Sequence, residues 1–210
     1  MPFFKKQKEQ TAAGEDRLIF RVFGATLGSV ALFFIEVLQI LVIAAVIIIV
    51  TRYFLVKPFL VLGASMEPNF YNNEYLIIDE LSYRLRDISR GEVVVFAPPT
   101  SPSQFYIKRV IGLPGETVSI KDGTITISNT EYPNGFTLKE DYIEEYTHGR
   151  EEIILGEDEY YVLGDNRDES LDSRSFGSIK ENTIVGRAWV RGFPLDRLGF
   201  IASPNYSYIY

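Results

Sequence analysis

Cysteine is absent from this sequence, and histidine occurs once, at His148. The missing thiols exclude disulfides, a thiolate zinc site and a cysteine nucleophile. A mechanism with a histidine base would have to use His148, which lies in a polar, acidic stretch, and we expect it to be a bystander. Basic residues are also scarce, with 21 Lys and Arg against 28 Asp and Glu. The net charge of −7 argues against a nucleic-acid partner, because phosphate binding needs clustered cations.

One long apolar run lies near the N-terminus. Between residues 22 and 51 the only ionisable residue is Glu36, and a membrane helix needs about 20 mostly apolar residues. We therefore predict a transmembrane helix at 31–53, preceded by an N-terminal tail at 1–30 whose first 21 residues are polar and mixed in charge. Residues 54–210 are enough for one globular domain of ordinary size.

The alternative to a retained anchor is a cleaved signal peptide, whose apolar core is about 7–15 residues long. The polar tail before the run and the lack of a clear small-x-small site after it argue against cleavage. Basic residues set the orientation, because they favour the cytoplasmic side. Five precede the span and two follow it closely: Lys5, Lys6, Lys8, Arg17 and Arg21, then Arg52 and Lys57. We predict a single-pass protein of the cell membrane, with a cytoplasmic N-terminus and the domain on the outer face.

After the apolar run the pattern becomes that of a mainly β protein. Short segments rich in β-branched and aromatic residues predict strands, and Asp122-Gly123 between two of them indicates a hairpin. No long segment in this part has a helical period. The acidic, turn-rich stretch at about 129–156 is interpreted as an elaboration on the sheet. The predicted strands are 75–78, 93–96, 105–111, 117–120, 124–127, 159–163 and 184–190.

Ser65 follows the apolar run and has small residues before it, which leave room for another backbone. A serine needs an adjacent base to become a nucleophile, and without a suitable histidine that base must be a carboxylate or a lysine. Lys108 fits if burial lowers its pKa, and strand alternation places Tyr106, Lys108 and Val110 on one face. The alternative is a solvated lysine on a strand, and the residues alone leave both interpretations open.

A second cluster of polar residues spans 164–177. One interpretation is a calcium loop, since Asp165, Asp168 and Asp172 offer oxygen ligands. The EF-hand spacing is absent, however, and Arg167 and Arg174 would compete for the same carboxylates. We predict a polar network that supports a site, and no bound metal.

Four blocks of this sequence carry a resemblance to one family. The sequence resembles the bacterial type I signal peptidases, which are membrane-anchored serine endopeptidases with a Ser/Lys dyad, and the resemblance covers about residues 37–199. The blocks occur in the family order: 65–68 (Ser-Met-Glu-Pro), 90–96, 106–116 (from Tyr-Ile-Lys-Arg to Pro-Gly-Glu) and 164–177 (beginning Gly-Asp-Asn-Arg).

The resemblance implies roles for individual residues. Ser65 would be the nucleophile, and Lys108 would be the general base that later protonates the leaving amine. The Ser170 hydroxyl would help to orient that amine. Two ion pairs would brace the site: Asp172 with Arg174, and Asp165 with Arg109.

The resemblance also implies a fold of strongly bent, mainly antiparallel β-sheets and a reaction without cofactor or metal. The partners would be the lipid bilayer and secretory preproteins, bound extended and cut after small residues at −3 and −1. Six residues would line the two pockets, with ordinary core packing as the alternative: Phe59, Val61, Met66, Leu76, Tyr106 and Ile107. Some members have a serine two places before the nucleophile that contributes to the oxyanion hole, and here that place is Gly63.

Two other functions are compatible with parts of the pattern. One is a related Ser/Lys protease that cleaves itself or one dedicated partner. The other is a membrane-tethered β-domain that only binds, which the pairing of Ser65 with Lys108 disfavours because a binding surface has no need of it.

Overall fold

The computed structural model of the protein describes residues 29–49, 56–143, 145–204, 206 and 208–209. The chain divides into two compact units, with the boundary after Tyr53. The first unit contains one helix and the second contains the β-strands. All but the last two residues of the predicted tail at 1–30 lie outside the described residues.

Helix α1 runs from Ser29 to Ile49 and, among the described residues, is the one helix long and apolar enough to cross a membrane. At 1.5 Å per residue its 21 residues extend roughly 30 Å, which matches the hydrocarbon thickness of a bilayer. Glu36 is its only ionisable residue. The helix begins two residues before the predicted span of 31–53, and residues 50–53 of that span lie outside the described residues.

The regular secondary structure described for the second unit is mainly β-strand, as predicted. Its helical elements are α2 (Ser173–Phe176) and three 3-10 turns (Ser82–Arg84, Glu181–Thr183 and Leu195–Arg197). Its strands are β1 (Val56–Leu60), β2 (Tyr75–Asp79), β3 (Val93–Phe96), β4 (Tyr106–Gly112), β5 (Thr117–Lys121), β6 (Thr124–Ser128), β7 (Phe136–Leu138), β8 (Glu151–Ile154), β9 (Glu159–Leu163), β10 (Ile179–Lys180), β11 (Ile184–Phe193), β12 (Gly199–Phe200) and β13 (Tyr208–Ile209).

The strands form two antiparallel sheets. The larger has the order β1-β2-β11-β3-β4-β9-β10, with β12 also paired to β11, and the smaller has the order β13-β7-β6-β5-β8. Register shifts interrupt β11 at three places and β4 between Val110 and Gly112. Such bulges bend a strand and increase its twist. The predicted fold class, an N-terminal apolar helix followed by bent antiparallel sheets, is confirmed.

The seven predicted strands are present, with ends that differ by at most three residues. The hairpin between β5 and β6 turns at Asp122 and Gly123, both with positive φ (50° and 80°), as a two-residue type I′ turn requires. The stretch at 129–156 contributes β7 and β8, which complete the smaller sheet. Strand β1 was not predicted because Pro58 interrupts it; β1 is the edge strand of its sheet, where proline is tolerated.

The apolar core consists of three clusters, one of which lies directly beneath the Ser65 loop. This cluster joins loop residues to side chains from β2, β3 and β11. Its buried members are Val61, Met66, Phe70, Leu76, Ile78, Val93, Val95 and Ala188. The loop that carries Ser65 is therefore attached to the larger sheet by buried side chains.

Candidate active site

Strand β4 brings Lys108 into the interior. It is hydrogen-bonded to β3 on one side, where Lys108 is opposite Val94, and to β9 on the other. A central strand leaves little access to water, and Lys108 is only 3% exposed. The alternative of a solvated lysine is therefore wrong.

Backbone contacts hold Ser65 in a tight loop after β1. Its carbonyl accepts a hydrogen bond from the Asn166 N–H (3.2 Å), which ties the loop to the polar segment after β9. Gly164 permits this close approach: a Cβ there would lie 2.5 Å from the Ser65 carbonyl oxygen and 2.2 Å from Ser170 Oγ. Any side chain at residue 164 would push the two segments apart.

The two residues predicted to react are in direct contact. Lys108 Nζ lies 2.7 Å from Ser65 Oγ and donates a second hydrogen bond to the Ile107 carbonyl (2.9 Å). Burial lowers the pKa of Lys108 to about 8, although the charges of Asp172 and Asp165 oppose this shift. A substantial fraction of this amine is therefore neutral near pH 8, and a neutral amine can accept a proton from the serine.

Arg109 points to the other face of β4 and is also buried. Its Nε and Nη2 donate to the Asp165 carboxylate at 2.8 and 2.5 Å. Asn69 Nδ2 donates to the same carboxylate (2.9 Å). Burial alone would lower the pKa of Arg109, but the hydrogen bonds and charge of Asp165 raise it above its usual value. The structure thus contains the predicted ion pair between Arg109 and Asp165.

Asp172 is the centre of the second predicted pair. Its carboxylate accepts hydrogen bonds from Arg174 Nε and Nη2, both at 2.9 Å, and from the Gly164 N–H at 3.1 Å. It also caps the N-terminus of α2 by accepting from the Arg174 backbone N–H. The buried Asp172 carboxylate therefore binds Gly164 at one end and Arg174 at the other end of the segment that packs against Ser65.

Ser170 does not make the contact predicted for it. The hydrogen bonds of Lys108 go to Ser65 and Ile107, and Ser170 Oγ is a buried atom with no hydrogen-bond partner among the described residues. It lies against Gly164, close to the dyad.

A cleft of about 560 Å³ opens beside the dyad, and both Ser65 and Lys108 line it. Five of the six predicted pocket residues also line it: Phe59, Val61, Leu76, Tyr106 and Ile107. Met66 is the exception. It is 1% exposed and belongs to the core cluster beneath the loop, because the turn after Ser65 directs its side chain inward.

Several residues of the site were not predicted from the sequence. Leu62, Phe105, Glu169 and Leu171 also line the cleft, and the rings of Phe59 and Phe105 meet edge to face with centroids 5.5 Å apart. Phe105 is the first residue of the predicted strand at 105–111 and lies just before β4, so it was open to detection as an exposed aromatic at a strand end. The others lie on loops, whose paths carry no periodic signal.

Neither a histidine mechanism nor a metal site has support in the described part of the chain. His148 is 69% exposed and lies 3.6 Å from the Asp168 carboxylate. Among the described residues, no group of three or more His, Cys, Asp or Glu side chains is arranged to hold a metal ion. The cleft thus contains a serine nucleophile, Ser65, in contact with a buried lysine that can act as its base, Lys108.

Comparison with known proteins identifies the family. The profile of the family described as "Signal peptidase, peptidase S26" matches residues 34–193. A "Probable signal peptidase I-2" from Synechocystis sp. is 38% identical over 80% of this chain and 77% of its own length. "Signal peptidase I P" from Bacillus subtilis subsp. natto is 32% identical over 78% of this chain and 91% of its own.

A solved structure of a signal peptidase I from Enterococcus faecalis V583 is 32% identical, covers 49% of this chain and 97% of that chain, and superposes with a TM-score of 0.42. The family assignment rests on the sequence matches. The chain belongs to the signal peptidase family, peptidase S26, and is a serine endopeptidase.

Proposed function

We propose that this protein removes N-terminal signal peptides from secretory preproteins, with Ser65 as nucleophile and Lys108 as general base. The observation that carries the proposal is the 2.7 Å contact between a serine hydroxyl and a buried lysine amine whose pKa is lowered to about 8. Arginine or a solvated lysine would remain charged and could not accept the proton.

The reaction follows from this geometry as an acyl transfer. Neutral Lys108 takes the Ser65 proton as Oγ attacks the scissile carbonyl carbon. The protonated amine then gives that proton to the leaving nitrogen, and an acyl-serine ester remains. Lys108 next deprotonates a water molecule that attacks the ester, and it returns the proton to Ser65 as the signal peptide leaves with a new carboxyl group.

The Ser65 backbone N–H is the proposed donor to the oxyanion. Gly63 has no side chain to add a second donor, and its own N–H is directed to Asn72 Oδ1 at 3.0 Å. The second donor would therefore come from elsewhere. Preorganised donors of this kind are each worth about 2.7–4 kcal/mol where they have been removed.

The cleft supports the proposed preference for small residues at −3 and −1. An extended peptide directs alternate side chains to one side, so that −3 and −1 would face the same wall. That wall is apolar and is formed by Phe59, Val61, Leu76 and Ile107. Met66 would act from beneath, by supporting the floor of the cleft.

We also propose that α1 anchors the enzyme, with residues 1–30 cytoplasmic and the domain at 54–210 on the outer face of the cell membrane. The excess of basic residues before the helix supports this orientation. Protease added to intact spheroplasts should degrade the catalytic domain. If the domain is protected from the protease while the N-terminal tail is digested, the proposed topology is wrong.

The activity can be tested with the full-length chain in detergent and a synthetic signal peptide carrying Ala-x-Ala before the cleavage site. Cleavage after the second alanine is expected from wild type, Ser203→Ala and His148→Ala. Ser65→Ala should be inactive; Ser203 is an exposed serine and serves as its matched control. Turnover by Ser65→Ala, or a loss greater than tenfold in His148→Ala, would contradict the mechanism.

A further inference from the structure

Glu169 is the only carboxylic acid among the described residues that line the cleft. The other lining residues are apolar or uncharged, apart from Lys108. Lys108 must be neutral to act as the base, so the working form of the cleft has one formal charge, and that charge is negative. A charge on a wall of low dielectric acts over a longer range than one in open water.

The position of Glu169 is fixed by its backbone, while its side chain remains accessible. The Glu169 N–H donates to Asn166 Oδ1 at 2.9 Å. The Asn166 N–H in turn donates to the Ser65 carbonyl, so Glu169 is connected to the Ser65 loop through Asn166. Leu171, which is 51% exposed, continues the same wall. Glu169 is exposed, and no ion pair occupies its carboxylate within the described part of the chain. The group is thus free to meet a bound peptide.

We propose that Glu169 determines the charge preference of the enzyme close to the scissile bond. It favours a basic side chain, and disfavours an acidic one, at the substrate position that lies against this wall. This inference rests on the proposed function of the cleft. Partly exposed charge pairs contribute modestly, so the expected preference for Lys over Glu at that position is roughly three- to tenfold in kcat/KM.

The experiment uses a series of signal peptides in which one position at a time, on either side of the cleavage site, is Gln, Lys or Glu. The Lys-to-Glu ratio of kcat/KM is measured for wild type, Glu169→Gln and Glu169→Lys. The ratio should exceed one at a single position in wild type, approach one in Glu169→Gln and fall below one in Glu169→Lys. Added salt should reduce it, because open charges are screened.

The matched control is Glu157→Gln, which removes the same charge from an exposed turn between β8 and β9, outside the cleft. It should keep the wild-type ratio at every position. Equal ratios in wild type and Glu169→Gln, or the same change in Glu157→Gln, would overturn the inference.

A failure of this inference is distinguishable from a failure of the proposed function. If the Gln peptide is cleaved normally but no position discriminates by charge, only the role of Glu169 is wrong. If no peptide is cleaved, the role of Glu169 is tested by binding: fluorescence anisotropy measures the affinities of the Lys and Glu peptides for Ser65→Ala, and the Lys peptide should bind more tightly. Equal affinities there would overturn the role of Glu169 as well.

Discussion

Lys108 and Arg109 are neighbours on β4, are 3% and 4% exposed, and differ in what they contact. The Lys108 amine meets a hydroxyl and a backbone carbonyl, and its pKa is lowered to about 8. The Arg109 guanidinium meets the Asp165 carboxylate in a two-point ion pair, and its pKa is raised. Two cations in one strand are thus perturbed in opposite directions.

Burial penalises the charge of both residues, so burial does not explain the difference. The deciding factor is whether a carboxylate is in contact. Asp165 and Asp172 act on Lys108 only at a distance, and their effect is too small to offset desolvation. On one face of β4, Arg109 is in contact with the Asp165 carboxylate and stabilises the structure. On the other face, Lys108 has no carboxylate in contact and can exchange a proton near neutral pH.

The largest expected effect comes from replacing the lysine by a cation that cannot deprotonate. Lys108→Arg keeps the charge but removes the base, so kcat/KM should fall by about 10²–10⁴-fold, the usual contribution of a general base. Lys121→Arg, an exposed position on β5, is the matched control and should have wild-type activity. Substantial turnover by a folded Lys108→Arg variant, verified by circular dichroism, would exclude lysine as the base.

Removing the carboxylate on the other face should affect stability. Asp165→Asn leaves the Arg109 charge buried without compensation, and breaking such a pair costs about 3–5 kcal/mol of unfolding free energy. Asp158→Asn breaks the exposed pair with Lys180 and should change the unfolding free energy much less, because exposed pairs are solvated and screened. Denaturant titration of both variants measures the difference. Similar midpoints would mean that the Arg109 pair contributes no more than a surface pair.

Much of this contrast was predictable from the sequence, because strand alternation separates residues 108 and 109. The β-branched segments fixed the strands, and the motif order identified Ser65, Lys108 and the two ion pairs. What alternation does not give is the path of loops. Met66 follows Ser65 directly, and the resemblance implied either a pocket position or ordinary core packing; the turn directs its side chain into the core.

Ser170 shows a second limit. The resemblance implied that its hydroxyl helps to orient the Lys108 amine. Rotamer and loop geometry decide contacts at the scale of one bond, however, and the hydrogen bonds of Lys108 go to Ser65 and Ile107. Glu169 was likewise visible only as a charge in a polar segment. Its place on the cleft wall depends on how residues 164–177 fold back against Ser65, which requires the three-dimensional structure.

The pH dependence of kcat/KM tests whether Lys108 is the group that accepts the proton. The base works only when neutral, so kcat/KM should rise about tenfold per pH unit below pH 8 and level off above it. Asp172 raises the pKa of Lys108 through its charge, so Asp172→Asn should move this limb to lower pH. The assay needs a substrate that does not titrate in this range. A limb that is unchanged in Asp172→Asn, or a flat wild-type profile, would assign the titration to another group.

The smallest expected effect is a gain in stability on removal of the buried Lys108 charge, whereas removal of a partner from the Arg109–Asp165 pair lowers stability. At pH 7 the pKa of about 8 means that Lys108 is mostly protonated in the folded state, although burial disfavours that charge. Its folded pKa lies below the unfolded value of 10.5. The unfolded state therefore binds more protons between pH 8 and 10.5, and stability should rise with pH across this window. Below pH 8 the full cost of the buried charge is present.

Lys108→Met removes that charge and keeps much of the volume, so it should stabilise the domain at pH 7 by about 1–3 kcal/mol while abolishing activity. Arg109→Met should destabilise it, because Asp165 then loses its partner, and Lys121→Met should do little. The unfolding free energies of the three variants are compared at pH 7 and pH 10. The gain from Lys108→Met should shrink at pH 10, where wild-type Lys108 is neutral when folded. A loss of stability at pH 7 in Lys108→Met would show that the contacts of the amine with Ser65 and Ile107 outweigh its desolvation.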